Sequence, residues 1–132
     1  MRSVLADTGP LYAALDPDDQ YHTRAQQEIA RLRRGKISVK ILHPTVLECY
    51  TLALYRLTRS TAAPWLGEIM DSAELINPGT DDYIHAARLV ASFADQSLTL
   101  FDATIAVVAG KLNLDVWTYD HHFDLMRIPV WR

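Results

Sequence analysis

What most constrains this chain is the order in which short apolar runs and helical segments follow one another. Ser3–Ala6, Ile37–Leu42, Leu75-Ile76, Val116–Thr118 and Ile128–Val130 read as strands. The stretches between the first four carry apolar residues at helical spacing. Parallel neighbours need a long crossover, usually a helix, so this alternation implies a mostly parallel sheet with helices over both faces. The expected fold is α/β, with four to five strands. In such sheets ligands gather beyond the carboxyl ends of the strands, near the point where strand order reverses.

The segments between strands can be read in more detail. Gly9-Pro10 ends the first strand, and Pro10 suits the first turn of a short helix over Leu11–Leu15. Asp18 or Asp19 caps a helix to about Arg34, with Tyr21, Ala25, Ile29 and Leu32 inward and Gly35 as its stop. Pro44 leads into a helix through Arg59 that carries Tyr50, Ala53, Leu54 and Leu57 on one side. Ser60–Ala63 reads as a break, and Pro64 opens a helix bearing Trp65, Leu66, Ile69 and Met70. Thr80 caps the next helix, with Asp81 and Asp82 at its positive dipole end and Ile84, Ala87, Ala91 and Ala94 inward. Asp102–Leu112 is apolar almost all round, so it belongs in the interior. Pro129 confines the last strand to an edge.

Composition narrows the class. The chain of 132 residues is 49% hydrophobic and 22% charged, which fits one folded domain over residues 1–132 and not disorder. A single cysteine, Cys49, rules out an internal disulfide, and its apolar helical surroundings make it a small buried hydrophobe, not a nucleophile. The run Val4–Ala6 stops at Asp7, short of a signal-peptide core. Stretches free of Lys, Arg, Asp and Glu reach only eight residues, whereas a membrane span needs ~20. A soluble, cytoplasmic protein without membrane contact is expected. The net charge of −3 argues against binding nucleic acid by bulk electrostatics alone. Arg31, Arg33, Arg34, Lys36 and Lys40 form the only dense positive cluster, either a solvated helix end or a patch for a polyanion.

Four acids stand where strands end or helices begin. Asp7 follows the first strand directly, and Asp120 comes two residues after Thr118. Each has a plain local role open to it: Asp7 as a cap for the helix at Pro10, Asp120 as an Asx-turn before Phe123. Thr45-Val46-Leu47-Glu48 matches a capping box, and Thr99-Leu100-Phe101-Asp102 the looser form of one. Together, however, all four fall on one edge of a parallel sheet. Crowded carboxylates repel one another, and hard divalent cations such as magnesium or manganese relieve that repulsion through oxygen ligands. No Cys pair or His-x-x-x-His offers a competing zinc site, and the adjacent His121 and His122 would diverge on regular backbone.

These segments also resemble a known family. Ala6-Asp7-Thr8-Gly9-Pro10-Leu11, Thr45-Val46-Leu47-Glu48, Ser97–Ala103 and Thr118-Tyr119-Asp120-His121-His122-Phe123 are similar, in order and spacing, to the successive motifs of PIN-domain ribonucleases. The resemblance covers essentially the whole chain and is nearest to the VapC toxins of bacterial toxin–antitoxin pairs. It implies a three-layer α/β/α fold and metal-dependent cleavage of RNA. It makes Asp7, Glu48, Asp102 and Asp120 the catalytic, metal-binding quartet for Mg2+ or Mn2+, oriented by Thr8 and Thr118. It further implies a homodimer and an antitoxin partner. The family varies at Gly9 and at His122, where some members carry another acid.

Three other functions fit less well. An aspartate-based phosphohydrolase needs D-x-D after the first strand, and here Gly9 stands two after Asp7. A phosphoacceptor receiver needs paired acids and a late lysine; Ala6 precedes Asp7 and no lysine follows Lys111. An inactive binding module with the PIN fold has no use for all four acids.

Overall fold

The computed structural model describes residues 2–132. Its elements follow in the order β1 (Ser3–Ala6), α1 (Thr8–Leu15), α2 (His22–Arg34), β2 (Ser38–Leu42), α3 (His43–Arg56), α4 (Arg59–Ser72), β3 (Glu74–Ile76), α5 (Thr80–Ser92), α6 (Leu100–Leu112), β4 (Asp115–Trp117) and α7 (His122–Leu125). The strands form one parallel sheet in the order β3-β2-β1-β4. Strand order therefore reverses between β1 and β4, and the crevice there lies beyond Ala6 and Trp117.

Alternation along the strands sends side chains to two separate cores. Val4, Ala6, Ile41 and Trp117 pack with residues of α1 to α4, while Leu5, Leu42 and Val116 pack with Ile105, Val108 and Phe123 of α6 and α7. This is the three-layer α/β/α arrangement implied by the sequence. Trp117 and Phe123 are among the largest fully buried side chains, and burial of such groups contributes roughly 1.5–3 kcal/mol each.

Several local expectations change. Helix α2 begins at His22; Asp19 instead makes an Asx-turn to the Tyr21 N–H, at 2.8 Å. Tyr21 is exposed, and the buried face is Ala25, Glu28 and Leu32. Helix α3 stops at Arg56, because the backbone of Leu57 turns to φ −110°, ψ −118°. The Thr58 hydroxyl then caps α4 through the Thr61 N–H, so Ser60–Ala63 is helical and Pro64 lies inside the helix. Pro64 and Ser60 are exposed, and water can satisfy the carbonyl that Pro64 leaves without a donor. In α5 the N-cap is Gly79 and not Thr80, with Asp82 reaching back to the Gly79 N–H at 2.8 Å. Asp82 also takes Lys111 at 2.8 Å, and the buried face of α5 is Asp82 and Ala86; Ile84, Ala87 and Ala91 are exposed, and Ala94 lies beyond the helix. The expected strand Ile128–Val130 shrinks to one parallel bridge, Val116 to Val130, since Pro129 has no N–H to extend it.

Cys49 is fully buried, and burial pushes its thiol up to about 12. We expect native protein to resist a thiol-specific disulfide reagent and to react with one equivalent only once unfolded; prompt labelling of the native state would contradict this packing.

Candidate active site

The crevice beyond β1 and β4 opens into a cleft of about 490 Å3 whose walls include Asp7, Glu48, Asp102 and Asp120. Each acid arrives from a different element. Asp7 is the N-cap of α1, its Oδ1 accepting the Thr8 N–H at 2.8 Å. Its Oδ2 accepts the Thr118 hydroxyl at 2.7 Å, and its own N–H donates to the Trp117 carbonyl at 2.9 Å. The carboxylate is thus held across the β1–β4 junction. Thr118 in turn accepts the Asp120 N–H at 3.0 Å, and Asp120 accepts the His122 N–H at 2.9 Å in an Asx-turn.

The two capping alternatives separate here. Thr45 lies inside α3, whose N-cap is Leu42, so no capping box forms and the Glu48 carboxylate is left to the cleft. Thr99 does cap α6, accepting the Asp102 N–H at 3.0 Å, yet the Asp102 carboxylate also faces the cleft. Asp102 both ends a capping interaction and contributes an acid.

Burial and mutual repulsion raise three of these carboxylates. Asp7 is pushed up to about 7, chiefly by burial; bonds from Thr118 and Thr8 pull it back, and the charges of Asp102 and Asp120 add to the rise. Asp102 is raised mainly by burial, with Asp120 adding to it. Glu48 is raised by burial and by Asp102, although much of its side chain is open to solvent. Its environment is crowded and not dry, so the charge of Asp102 matters there as well. Thr8 lies close enough to Glu48 to ease the rise, but its hydroxyl has no hydrogen-bond partner of good geometry.

These donors fit a hard divalent cation: desolvated oxygens, repelling one another, with the Thr8 hydroxyl unpaired beside them. Among the described residues, the group of three possible ligands close enough together to share an ion is Asp120, His121 and His122, with ligand atoms all within 4.8 Å of one another. The histidines therefore do not diverge. His121 has helical backbone (φ −67°, ψ −16°) at the entry to α7, which brings the two rings to 4.4 Å. His122 Nδ1 lies 2.9 Å from Asp120 Oδ1 and 4.0 Å from Asp102 Oδ2, without a well-directed hydrogen bond.

Other cleft residues had no signal strong enough to mark them. Arg56 supplies positive charge in the cleft wall, and Tyr119 and Tyr21 border it. The basic run does not line the cleft. Arg31, Arg33 and Arg34 end α2, and Lys36 precedes β2, whose start pairs with Ser3 at the opposite edge of the sheet.

Because Asp7 titrates higher in the fold than in an unfolded chain, folding keeps its proton as pH rises from about 4 to about 7. In EDTA, the stability gained by holding that proton is complete below the unfolded value and is lost as pH rises through 7. Thermal unfolding should show the midpoint falling over this window, and Asp7→Asn should flatten the fall. The same pH dependence in the parent and in Asp7→Asn would contradict the buried, crowded state of Asp7.

No curated protein is significantly similar to the chain in sequence. Among solved structures, VapC20 of Mycobacterium tuberculosis, described as a toxin that cleaves the sarcin–ricin loop, superposes with a TM-score of 0.85 at 20% identity over 98% of each chain. VapBC-1 of nontypeable Haemophilus influenzae gives 0.72 at 13% identity, over 98% of this chain and 96% of the other. VapBC2 of Rickettsia felis, solved bound to a DNA fragment from its promoter, gives 0.69 at 14% identity, over 98% and 99%. At such identities the likeness shows a shared fold. The PIN domain family model matches residues 4–128, the span that carries all four acids and both threonines that bracket them, and the chain belongs to the PIN-domain family.

Proposed function

We propose that this protein is a divalent-metal-dependent ribonuclease that acts as the toxin of a toxin–antitoxin pair. The observation that carries the reading is the meeting of Asp7, Glu48, Asp102 and Asp120 in one cleft, three of them raised by burial. Asp7 and Asp102 would hold the cation directly, with Glu48 and Asp120 completing the site. Mg2+ or Mn2+ bound there supplies an acidified water and neutralises phosphate charge.

The chain's own residues do the rest. Thr118 and the Thr8 N–H hold both oxygens of Asp7 in place, and Thr99 anchors the backbone of Asp102. Arg56 offers the cleft a cation for a phosphate oxygen. The substrate's backbone is anionic, so an acidic cleft can accept it only once the carboxylates are neutralised. This makes the metal a condition for binding as well as for reaction.

The toxin reading draws on the company the fold keeps: the similar structures include VapBC assemblies and a toxin–antitoxin complex from Klebsiella pneumoniae. A cognate antitoxin and a cytoplasmic site of action go with it. A homodimer belongs to the same reading. Leu47, Tyr55 and Met70 stand exposed on α3 and α4, whereas Trp65 is taken up by the core. An inactive module of the same fold is the second reading, and it is disfavoured by the intact quartet.

Purified protein should cleave RNA in magnesium or manganese and stop in EDTA; undiminished cleavage in EDTA, with contaminating nucleases excluded, would sink metal dependence. Asp102→Asn should lower cleavage by orders of magnitude while stability in EDTA holds or rises, because one of four repelling charges is gone. If Asp102 served only the helix start, the variant would lose at most ~1 kcal/mol and keep its activity. For assembly, light scattering at micromolar concentration should report two chains, and Tyr55→Arg should shift the mass toward one. A monomeric parent protein would count against the dimer.

A further inference from the structure

A ridge of three side chains borders the acidic cleft, and none of them belongs to the quartet. Tyr119 lies between Thr118 and Asp120 in sequence, and its ring stands 4.8 Å from that of Tyr21 at a tilt of 46°. The guanidinium of Arg24 lies 4.3 Å from the Tyr119 ring centre and 5.9 Å from that of Tyr21. Tyr21 and Tyr119 line the cleft, and Arg24 faces a smaller hollow of about 210 Å3 that shares Tyr119 and Asp120 with it. The ridge is therefore the divide between the acids and a neighbouring basin.

The ridge is also rigid at its root. Glu28, buried on the inner face of α2, accepts the Tyr119 hydroxyl and the Trp117 indole N–H at 3.2 Å, and its other oxygen lies 3.6 Å from Arg24. A buried carboxylate is costly unless such donors surround it. Here they fix Tyr119, while Tyr21 and Arg24 remain exposed. An exposed aromatic and a planar cation packed on a fixed ring beside a phosphodiester site have the chemistry that unpaired bases stack on.

We infer that the Tyr21–Arg24–Tyr119 ridge is a stacking subsite for one unpaired base next to the phosphate held at the acids. The inference rests on the ribonuclease reading for its substrate. Every base has a stacking face, so the subsite grips a base with little regard to its identity.

The test uses a short single-stranded oligoribonucleotide with 2-aminopurine at an internal position, mixed with the full protein in calcium. Stacking on the ridge should quench the fluorophore with the parent protein and with Tyr21→Phe, but not with Tyr21→Ala. In cleavage assays, Tyr21→Ala should raise KM roughly tenfold, the loss of one base–aromatic stack, and lower kcat much less. Its melting temperature should match the parent, as should cleavage by the control Tyr83→Ala. Equal quenching and equal KM in Tyr21→Ala would overturn the subsite. Quenching without any cleavage would support the ridge and remove the ribonuclease reading. Cleavage without quenching would do the reverse.

Discussion

The structure turns on one carboxylate placed where two central strands end. Asp7 leaves β1 with its N–H bonded to Trp117 on β4, and its two oxygens are claimed by the Thr8 backbone and the Thr118 hydroxyl. The same residue therefore starts α1, clasps β1 to β4 and points into the crevice. An acid buried to this degree favours its protonated form, and its pKa rises to about 7. The fold accepts that penalty at the position where the sheet topology opens a site. The other three acids of the quartet are arranged around Asp7: Asp120 through Thr118, Asp102 from the start of α6 and Glu48 from α3.

The larger architecture was legible because it depends on patterns that survive context. Apolar runs alternating with helical spacing gave the parallel sheet, and Val4 and Leu5 point to opposite cores as a doubly covered strand requires. The meeting of the acids was legible for a related reason: Asp7, Asp102 and Asp120 lie at element boundaries and Glu48 in the second turn of α3, and such positions on one edge of a parallel sheet meet in space. Local details were less visible where two signals competed. Thr45 and Glu48 have capping-box spacing, yet the N-cap of α3 is Leu42, three residues before Thr45, with Pro44 in the first turn, so the box has no helix start to serve. Pro64 looks like an opener, but Thr58 had already started the helix.

Side-chain partnerships at long range were beyond the sequence. Glu28 is spaced with Ala25 and Leu32 on the inner face of α2, which marks it as buried, but nothing in the chain pairs it with Trp117 and Tyr119 some 90 residues on (separations of 89 and 91). His121 and His122 were set aside on the assumption of regular backbone, and the helical turn at His121 brings both rings to the same side. Arg56 needed the whole cleft to be visible, since on α3 alone it reads as a favourable charge at a helix end.

The tail after α7 has a consequence for how the molecule behaves in a crowded solution. Val130 bridges to Val116, the Trp131 N–H bonds to the Val116 carbonyl at 2.9 Å, and the Trp131 ring is buried against Trp117. The free side of β4 is thereby occupied by the chain's own last residues, and Pro129 exposes no donor for another strand to take. At the far side, β3 is only three residues long and carries Glu74 paired with Lys40. Both borders of the sheet are closed to a foreign strand, one by a plug and one by brevity and charge. Loss of the plug would turn β4 into an open template for sheet-to-sheet aggregation.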